Sequence, residues 1–269
     1  MTHTGRHLLL LAALLLLLAL AVSLSGSNQL LFLRINHAGH ALPDWLWSNL
    51  TLTADTLFAI AVLLIAGSYR PVILNQALLL LILGALFVHG FKQWLDIPRP
   101  AAILERDSFY IIGQVLKNHS FPSGHSFTAM SCAGLIWLNT RSRSLSLFIV
   151  SIALLAALSR VMVGAHWPLD ILTGGASGLL FAYLSVRLIS RFHWLSDHGL
   201  KLIAALLMTL AAAYLSIHED GYPYTGVLAL TASLAALLTA LYKVWIPLAR
   251  LLIRAFGRDS APYQAPNRS

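Results

Sequence analysis

Long apolar runs divide most of the chain and constrain its fold more than any other feature. About 20 apolar residues of helix cross a bilayer core of about 30 Å. Hydrophobic residues make up 58% of the 269 and charged residues only 10%, more apolar surface than a soluble domain hides. The runs therefore predict an all-α integral membrane protein with eight spans. The predicted spans are residues 8–24, 51–68, 72–91, 122–139, 145–163, 168–187, 200–217 and 226–249.

Charge asymmetry predicts the orientation of these spans. If the N-terminus is cytoplasmic, twelve of the 18 Lys and Arg residues fall on the cytoplasmic side and six on the other. Cytoplasmic loops carry the excess of basic residues in membrane proteins. We therefore expect both termini in the cytoplasm of a bacterial cell, with the protein in the inner membrane. The first run also resembles a signal peptide, but the Ser-Gly-Ser segment after it is a poor cleavage site, so it is kept as a span.

Composition also argues against several classes of function. The formal net charge of +8 does not indicate a nucleic-acid partner, because long leucine-rich runs separate the basic residues. Cys132 is the single cysteine, which excludes an internal disulfide and a cysteine metal cluster. His218, Glu219 and Asp220 are adjacent, and adjacent residues in a turn rarely complete a metal site. We expect no metal and no cofactor, and the sequence does not predict an oligomeric state.

Three polar segments fall on the outer side by this assignment. A charged group near lipid is costly unless it is paired or solvated in a cavity. Three such segments on one face therefore predict a functional site there. The segments are "KQWLDIPRP" at 92–100, "FPSGHS" at 121–126 and "SRVMVGAHWPLD" at 159–170.

His166 and Asp170 lie four residues apart at the start of the sixth predicted span, so helical spacing places them on one face. A carboxylate there would fix the imidazole tautomer and leave the other ring nitrogen free to attack. His166 is thus a candidate nucleophile. The same spacing also suits a histidine at a helix start beside Pro168, and the pair alone leaves both interpretations open.

Lys92, Arg99 and Arg160 supply three positive charges, and an arginine fork holds phosphate oxygens in a bidentate manner. Each base considered singly also suits snorkelling to the membrane interface. Pro98 and Pro100 stiffen the backbone around Arg99, which favours a placed side chain.

The four residues Pro122 to His125 open the fourth predicted span. Ser123 and Gly124 place a hydroxyl and closely spaced backbone N–H groups at a helix N-terminus, where anions bind. His125 beside them suits a general acid that works near neutral pH. The same four residues also suit an ordinary helix start.

Taken together, these residues match a known pattern in order and spacing. The pattern resembles the three-part signature of the type 2 phosphatidic acid phosphatase superfamily, which contains membrane lipid phosphatases and is related to vanadium haloperoxidases. The resemblance covers residues 55–190 and implies a six-helix core, so the last two spans lie outside it. The matching parts are Lys92, six residues, Arg99-Pro100; Pro122-Ser123-Gly124-His125; and Ser159-Arg160, five residues, His166, three residues, Asp170.

The resemblance implies a metal-independent phosphoryl transfer in two steps. It implies that His166 attacks phosphorus to form a phosphohistidine, that Asp170 orients the imidazole and that His125 protonates the leaving group. The phosphate-binding residues that it implies are Lys92, Arg99, Ser123, Gly124 and Arg160.

We therefore expect a six-span phosphatase core at residues 1–190, two additional transmembrane helices at 191–257 and a disordered cytoplasmic tail at 258–269. The expected reaction is hydrolysis of a membrane lipid phosphate or diphosphate at the periplasmic or extracellular face. Undecaprenyl diphosphate, phosphatidylglycerophosphate, phosphatidic acid and lipid A phosphate all remain candidate substrates. Two other functions remain open: a phosphotransferase of the same fold with a lipid A type acceptor, and a lipid transporter or flippase.

Overall fold

Twelve α-helices build the part of the chain that the computed structural model describes, residues 3–259, and this part contains no β-strand. Two short 3-10 helices, Arg106–Ser108 and His193–Ser196, lie in connections, and a π-helical turn, Leu241–Trp245, joins the last two helices. The helices are α1 (His3–Leu24), α2 (Asn28–Gly39), α3 (Asp44–Thr53), α4 (Thr56–Tyr69), α5 (Val72–Leu95), α6 (Pro100–Ile103), α7 (Gly124–Asn139), α8 (Arg143–Met162), α9 (Pro168–Arg191), α10 (His198–Leu215), α11 (Gly226–Ala240) and α12 (Ile246–Asp259).

Six helical segments within residues 3–259 are long and apolar enough to cross a membrane. A seventh results if α3 and α4, which meet at an angle of 58°, count as one bent span. The chain is thus an all-helical integral membrane protein, as the sequence predicts. Helix α7 has 16 residues, fewer than a full crossing needs, so the number of eight spans stays a prediction.

The second predicted span begins later than its apolar run. Residues 51–53 end α3, and α4 starts at Thr56 after a break at Ala54 and Asp55. The Asp55 carboxylate accepts a hydrogen bond of 2.7 Å from the Leu57 backbone N–H, so it caps α4. Prediction from apolar content missed this break because a single capping residue barely changes the hydropathy of the run.

Glycines allow α9 to lie directly against α7. A methyl group on Gly174 would lie 2.4 Å from the Ser123 carbonyl oxygen, and one on Gly178 would lie 2.4 Å from that of Phe127. The two helices approach closely only because these positions lack a side chain. The Ser123 N–H also donates to the Asp170 carbonyl oxygen at 3.1 Å. The crossing therefore places the first turn of α9 beside the first turn of α7.

The helices α10 and α11 share a hydrophobic core with α4. Met208 of α10 and Ala236 of α11 are buried in the same cluster as Leu64 of α4. Ser233 Oγ of α11 donates to the Ala212 carbonyl oxygen of α10 at 2.7 Å. The predicted domain boundary near residue 190 falls just before this pair. The predicted tail lies outside the described residues except at the end of α12.

On the predicted outer side, α2 ties the long α6–α7 connection to the end of α8. Asn36 of α2 is fully buried, and its Nδ2 donates to the carbonyl oxygens of Tyr110 at 2.9 Å and Met162 at 3.0 Å. Its Oδ1 accepts from the Tyr110 N–H at 2.8 Å. The Asn36 side chain therefore links the α6–α7 connection to the end of α8.

Candidate active site

His166 and Asp170 form a buried pair where the α8–α9 connection enters α9. Their side chains are 1% and 2% exposed, and His166 Nδ1 lies 3.2 Å from Asp170 Oδ2. The same Oδ2 accepts from the Trp167 backbone N–H at 2.9 Å. Asp170 thus caps α9 and also contacts the imidazole.

Arg99 contacts the other side of this imidazole. Arg99 is 6% exposed, and its Nη1 lies 3.0 Å from His166 Nε2 and 2.8 Å from the Ala165 carbonyl oxygen. A guanidinium only donates, so Nε2 accepts and Nδ1 carries the ring hydrogen that points to Asp170. The nitrogen opposite Asp170 is therefore an unprotonated lone-pair donor.

The electrostatic surroundings keep His166 neutral. Burial holds the pKa of the His166 imidazole well below its ordinary value of 6.5. The positive charges of Arg99, Arg160 and Lys92 lower that pKa further, in this order. Three bases from two of the polar segments, 92–100 and 159–170, therefore act on one imidazole.

Arg160, at the end of α8, is 1% exposed. Its carbonyl oxygen accepts from the N–H groups of Ala165 at 3.0 Å and His166 at 3.1 Å, which folds the connection back onto the helix. Gly164 permits this reversal with a φ of +76°. Among residues 3–259, Arg160 Nη1 donates to Tyr222 Oη at 2.9 Å, whereas the buried Nε has no partner.

The start of α7 lies next to Lys92. Ser123 Oγ accepts from the Ser126 backbone N–H at 3.3 Å and caps the helix. A methyl group on Gly124 would lie 3.9 Å from Lys92 Nζ, so the ammonium faces the first turn of α7. Ser123 is fully buried, and His125 is half-buried.

A cavity of about 430 Å³ lies between α4, α5 and α7. Most of its lining is apolar, with Ile60, Leu63 and Leu80 among the side chains, whereas Lys92 and His125 line one end of it. An apolar cleft with a few polar groups at one end suits an amphiphile, because the chain and the headgroup find separate surroundings.

Sequence reasoning missed two side chains of this region. Ser120 Oγ donates to Asp170 Oδ2 at 2.5 Å, and Tyr222 from the α10–α11 connection contacts Arg160. A serine in a polar loop and a tyrosine between two spans carry no signal in the sequence. Their roles depend on contacts between segments 50 and 62 residues apart.

The family model of the PAP2 superfamily matches residues 73–194, which run from α5 to the α9–α10 connection. Over these residues the chain is similar to the PAP2 superfamily. The match includes every residue of the buried cluster described above except Tyr222. The family resemblance inferred from the sequence is thereby confirmed.

Relatives within the PAP2 superfamily carry names of lipid phosphatases. The chain is 29% identical to the lipid A 1-phosphatase of Porphyromonas gingivalis over 60% of its own length, and 35% identical to the undecaprenyl-diphosphatase of Sulfolobus acidocaldarius over 30%. It spans 39% of the length of each of these relatives. The crystal structure of Aquifex aeolicus LpxE superposes with a TM-score of 0.52 at 26% identity, covering 60% of this chain and 94% of that one.

Proposed function

We propose that this PAP2 protein is a metal-independent lipid phosphatase that works through a phosphohistidine. The observation that carries the proposal is the row Asp170, His166, Arg99, in which a carboxylate holds one ring nitrogen and a phosphate-binding base contacts the other. A nucleophile oriented by a carboxylate and placed beside a fixed cation is the arrangement that attack on phosphorus requires.

In the proposed first step, His166 Nε2 attacks phosphorus as the bond from phosphorus to the leaving oxygen breaks. His125 gives its proton to the leaving lipid alkoxide or phosphate. Asp170 stabilises the positive charge that the imidazole acquires, and Ser120 holds the carboxylate in place through its 2.5 Å hydrogen bond. Water then attacks phosphorus and gives a proton to His125 as the bond from phosphorus to Nε2 breaks, which releases phosphate and restores both histidines.

The proposed phosphate-binding groups surround this nucleophile. Lys92, Arg99 and Arg160 neutralise the phosphoryl oxygens, and the first turn of α7 at Ser123 and Gly124 adds backbone N–H groups. Because Arg99 already contacts Nε2, its guanidinium must turn from the nitrogen to a phosphoryl oxygen when substrate binds.

The cavity between α4, α5 and α7 is the proposed site for a lipid chain. A headgroup beside Lys92 and His125 would leave its hydrocarbon in contact with Ile60 and Leu63. Four candidate lipids have both a phosphate headgroup and a hydrocarbon chain: undecaprenyl diphosphate, phosphatidylglycerophosphate, phosphatidic acid and lipid A phosphate. The names of the relatives favour lipid A phosphate and undecaprenyl diphosphate as the first candidates.

The proposed setting is the inner membrane of a bacterium, with eight spans, both termini in the cytoplasm and the site at the periplasmic or extracellular face. The charge asymmetry of the sequence supports this orientation. Lys92, His125 and His166 all lie at helix ends that the orientation assigns to the outer side.

A panel of these lipids, supplied singly to the purified protein in detergent with EDTA, tests the proposal. We expect phosphate release by the wild type, loss of at least about 10³-fold in His166→Ala, and full activity in His37→Ala, which changes an exposed histidine of α2. Activity that EDTA abolishes would overturn the metal-free mechanism.

The same panel separates the hydrolase from its alternatives. Donor consumption that requires a second lipid would replace the hydrolase by a phosphotransferase. Lipid movement across proteoliposomes without phosphate release would indicate a transporter instead.

A further inference from the structure

The α10–α11 connection is built as an ordered turn. Asp220 Oδ1 accepts from the Tyr222 N–H at 3.0 Å and from Thr225 Oγ1 at 2.9 Å. Gly221 lies between these contacts with a φ of +78°, a conformation that glycine adopts without strain. The turn therefore presents Tyr222 in a defined position.

This turn is pressed against the long connection that precedes α7. A methyl group on Gly113 would lie 2.6 Å from the Gly221 carbonyl oxygen, and one on Gly221 would lie 2.1 Å from Gln114 Nε2. Tyr222 also packs beside the buried side chains of Ile112 and Val163. The C-terminal helix pair thus reaches the buried cluster through one tyrosine.

Tyr222 engages one end of the Arg160 guanidinium. Arg160 Nη1 donates to Tyr222 Oη at 2.9 Å, and the guanidinium carbon lies 5.2 Å from the centre of the tyrosine ring. Among the described residues, nothing accepts a hydrogen bond from the fully buried Nε. A buried donor without a partner is costly, so this edge of the fork is suited to an oxyanion.

We infer that Tyr222 is a positioning residue that orients the Nε and Nη2 edge of Arg160 for bidentate contact with the phosphoryl group. The inference rests on the proposed phosphatase function and extends it to the C-terminal helices, which lie outside the PAP2 match. Tyr222 acts by holding a rotatable side chain in its binding orientation before the ligand arrives. Its contribution is largest where phosphoryl charge is greatest, in the transition state.

The test compares Tyr222→Phe with Tyr224→Phe in the full-length protein. Tyr222→Phe keeps the ring and removes only the hydroxyl, and Tyr224 is a 69% exposed tyrosine of the same turn. The probe is orthovanadate, with affinity measured from the rise of the melting temperature. We expect Tyr222→Phe to weaken vanadate binding about tenfold and Tyr224→Phe to change it less than about twofold.

Kinetics separate positioning from a structural role. We expect kcat/KM of Tyr222→Phe to fall about tenfold through kcat, with KM changed less than about twofold, because the lipid chain binds elsewhere. Added to Arg160→Lys, Tyr222→Phe should cause no further loss. A fall through KM alone, or equal effects of the two tyrosine variants, would overturn the inference.

The two readouts also separate this inference from the proposed function. If the wild type hydrolyses lipid phosphates while Tyr222→Phe binds vanadate normally, the inference fails and the phosphatase stands. If the wild type hydrolyses none of the lipids yet Tyr222→Phe weakens vanadate binding, the phosphatase fails and the positioning of Arg160 stands.

Discussion

Arg99 Nη1 lies 3.0 Å from His166 Nε2, the ring nitrogen that faces away from Asp170. The contact places a permanent positive charge where a phosphoryl oxygen would sit beside the proposed nucleophile. It also engages the lone pair of Nε2 in a hydrogen bond. In the row Asp170, His166, Arg99, each ring nitrogen of the imidazole thus has one charged partner, as the proposed chemistry requires.

Asp170→Asn should abolish most activity. The amide cannot stabilise an imidazolium and permits the wrong tautomer, so we expect kcat to fall roughly 10²- to 10⁴-fold. Assays of phosphate release check this result. The control is Asp44→Asn, which changes an exposed carboxylate at the start of α3. Equal activity of the two variants would contradict a role for Asp170.

Ser120→Ala should impair the site more mildly. It removes the hydrogen bond to Asp170 Oδ2, a contact to a charged group worth about 1.5–3 kcal/mol, so we expect a loss of kcat of about tenfold or more. Ser108→Ala removes an exposed hydroxyl of the same connection and should leave kcat unchanged. Equal loss of activity in both variants would contradict a specific role for the hydrogen bond between Ser120 and Asp170.

Gly174→Ala should destabilise the crossing of α7 and α9. The added methyl group would lie 2.4 Å from the Ser123 backbone oxygen, so the helices must separate at a cost of about 1–3 kcal/mol. We expect a lower melting temperature in detergent and a large loss of activity. Gly90→Ala on α5 meets no atom within 4 Å and serves as the control. An unchanged melting temperature in Gly174→Ala would show that the helices pack less closely.

Activity should persist below the ordinary pKa of histidine. The folded protein holds the pKa of His166 well below 6.5, so the neutral nucleophile persists as the pH falls through that value. The acid limb of kcat/KM against pH is therefore expected below pH 6.5. In the unfolded chain His166 takes up a proton as the pH falls through 6.5, whereas in the folded protein it stays neutral. The free energy of unfolding therefore decreases as the pH falls through this value. An acid limb centred at or above 6.5 would contradict a buried neutral His166.

Filling the cavity should affect long-chain substrates selectively. Ala85 lines the cavity, whereas its neighbour Leu86 is 70% exposed on the surface of α5. We expect Ala85→Trp to lower kcat/KM about tenfold for a long-chain lipid phosphate and little for a short-chain analogue. Leu86→Trp should leave both unchanged. A parallel loss for both substrates in Ala85→Trp would place the lipid chain elsewhere.

Local patterns in the sequence predicted the elements and most of the cluster. Apolar runs located the long helices because bilayer thickness sets the length of a helix that crosses it. The spacing of His166 and Asp170 predicted their contact because residues four apart share a helical face. The break at Asp55 escaped this reasoning, since one residue that bonds a backbone N–H hardly alters the hydropathy of a run.

The amino-acid order by itself determined that this chain lies in a membrane, resembles the PAP2 superfamily over residues 73–194 and carries its histidines and cations at helix ends. Tertiary structure alone decided that Arg99 contacts His166, that Ser120 holds Asp170 and that Tyr222 reaches Arg160. Those contacts join segments 50 to 67 residues apart, and no periodicity within one helix encodes them. Glycines let α7 and α9 approach each other, and α10 and α11 pack on α4. This packing brings loops that are distant in the sequence together around His166.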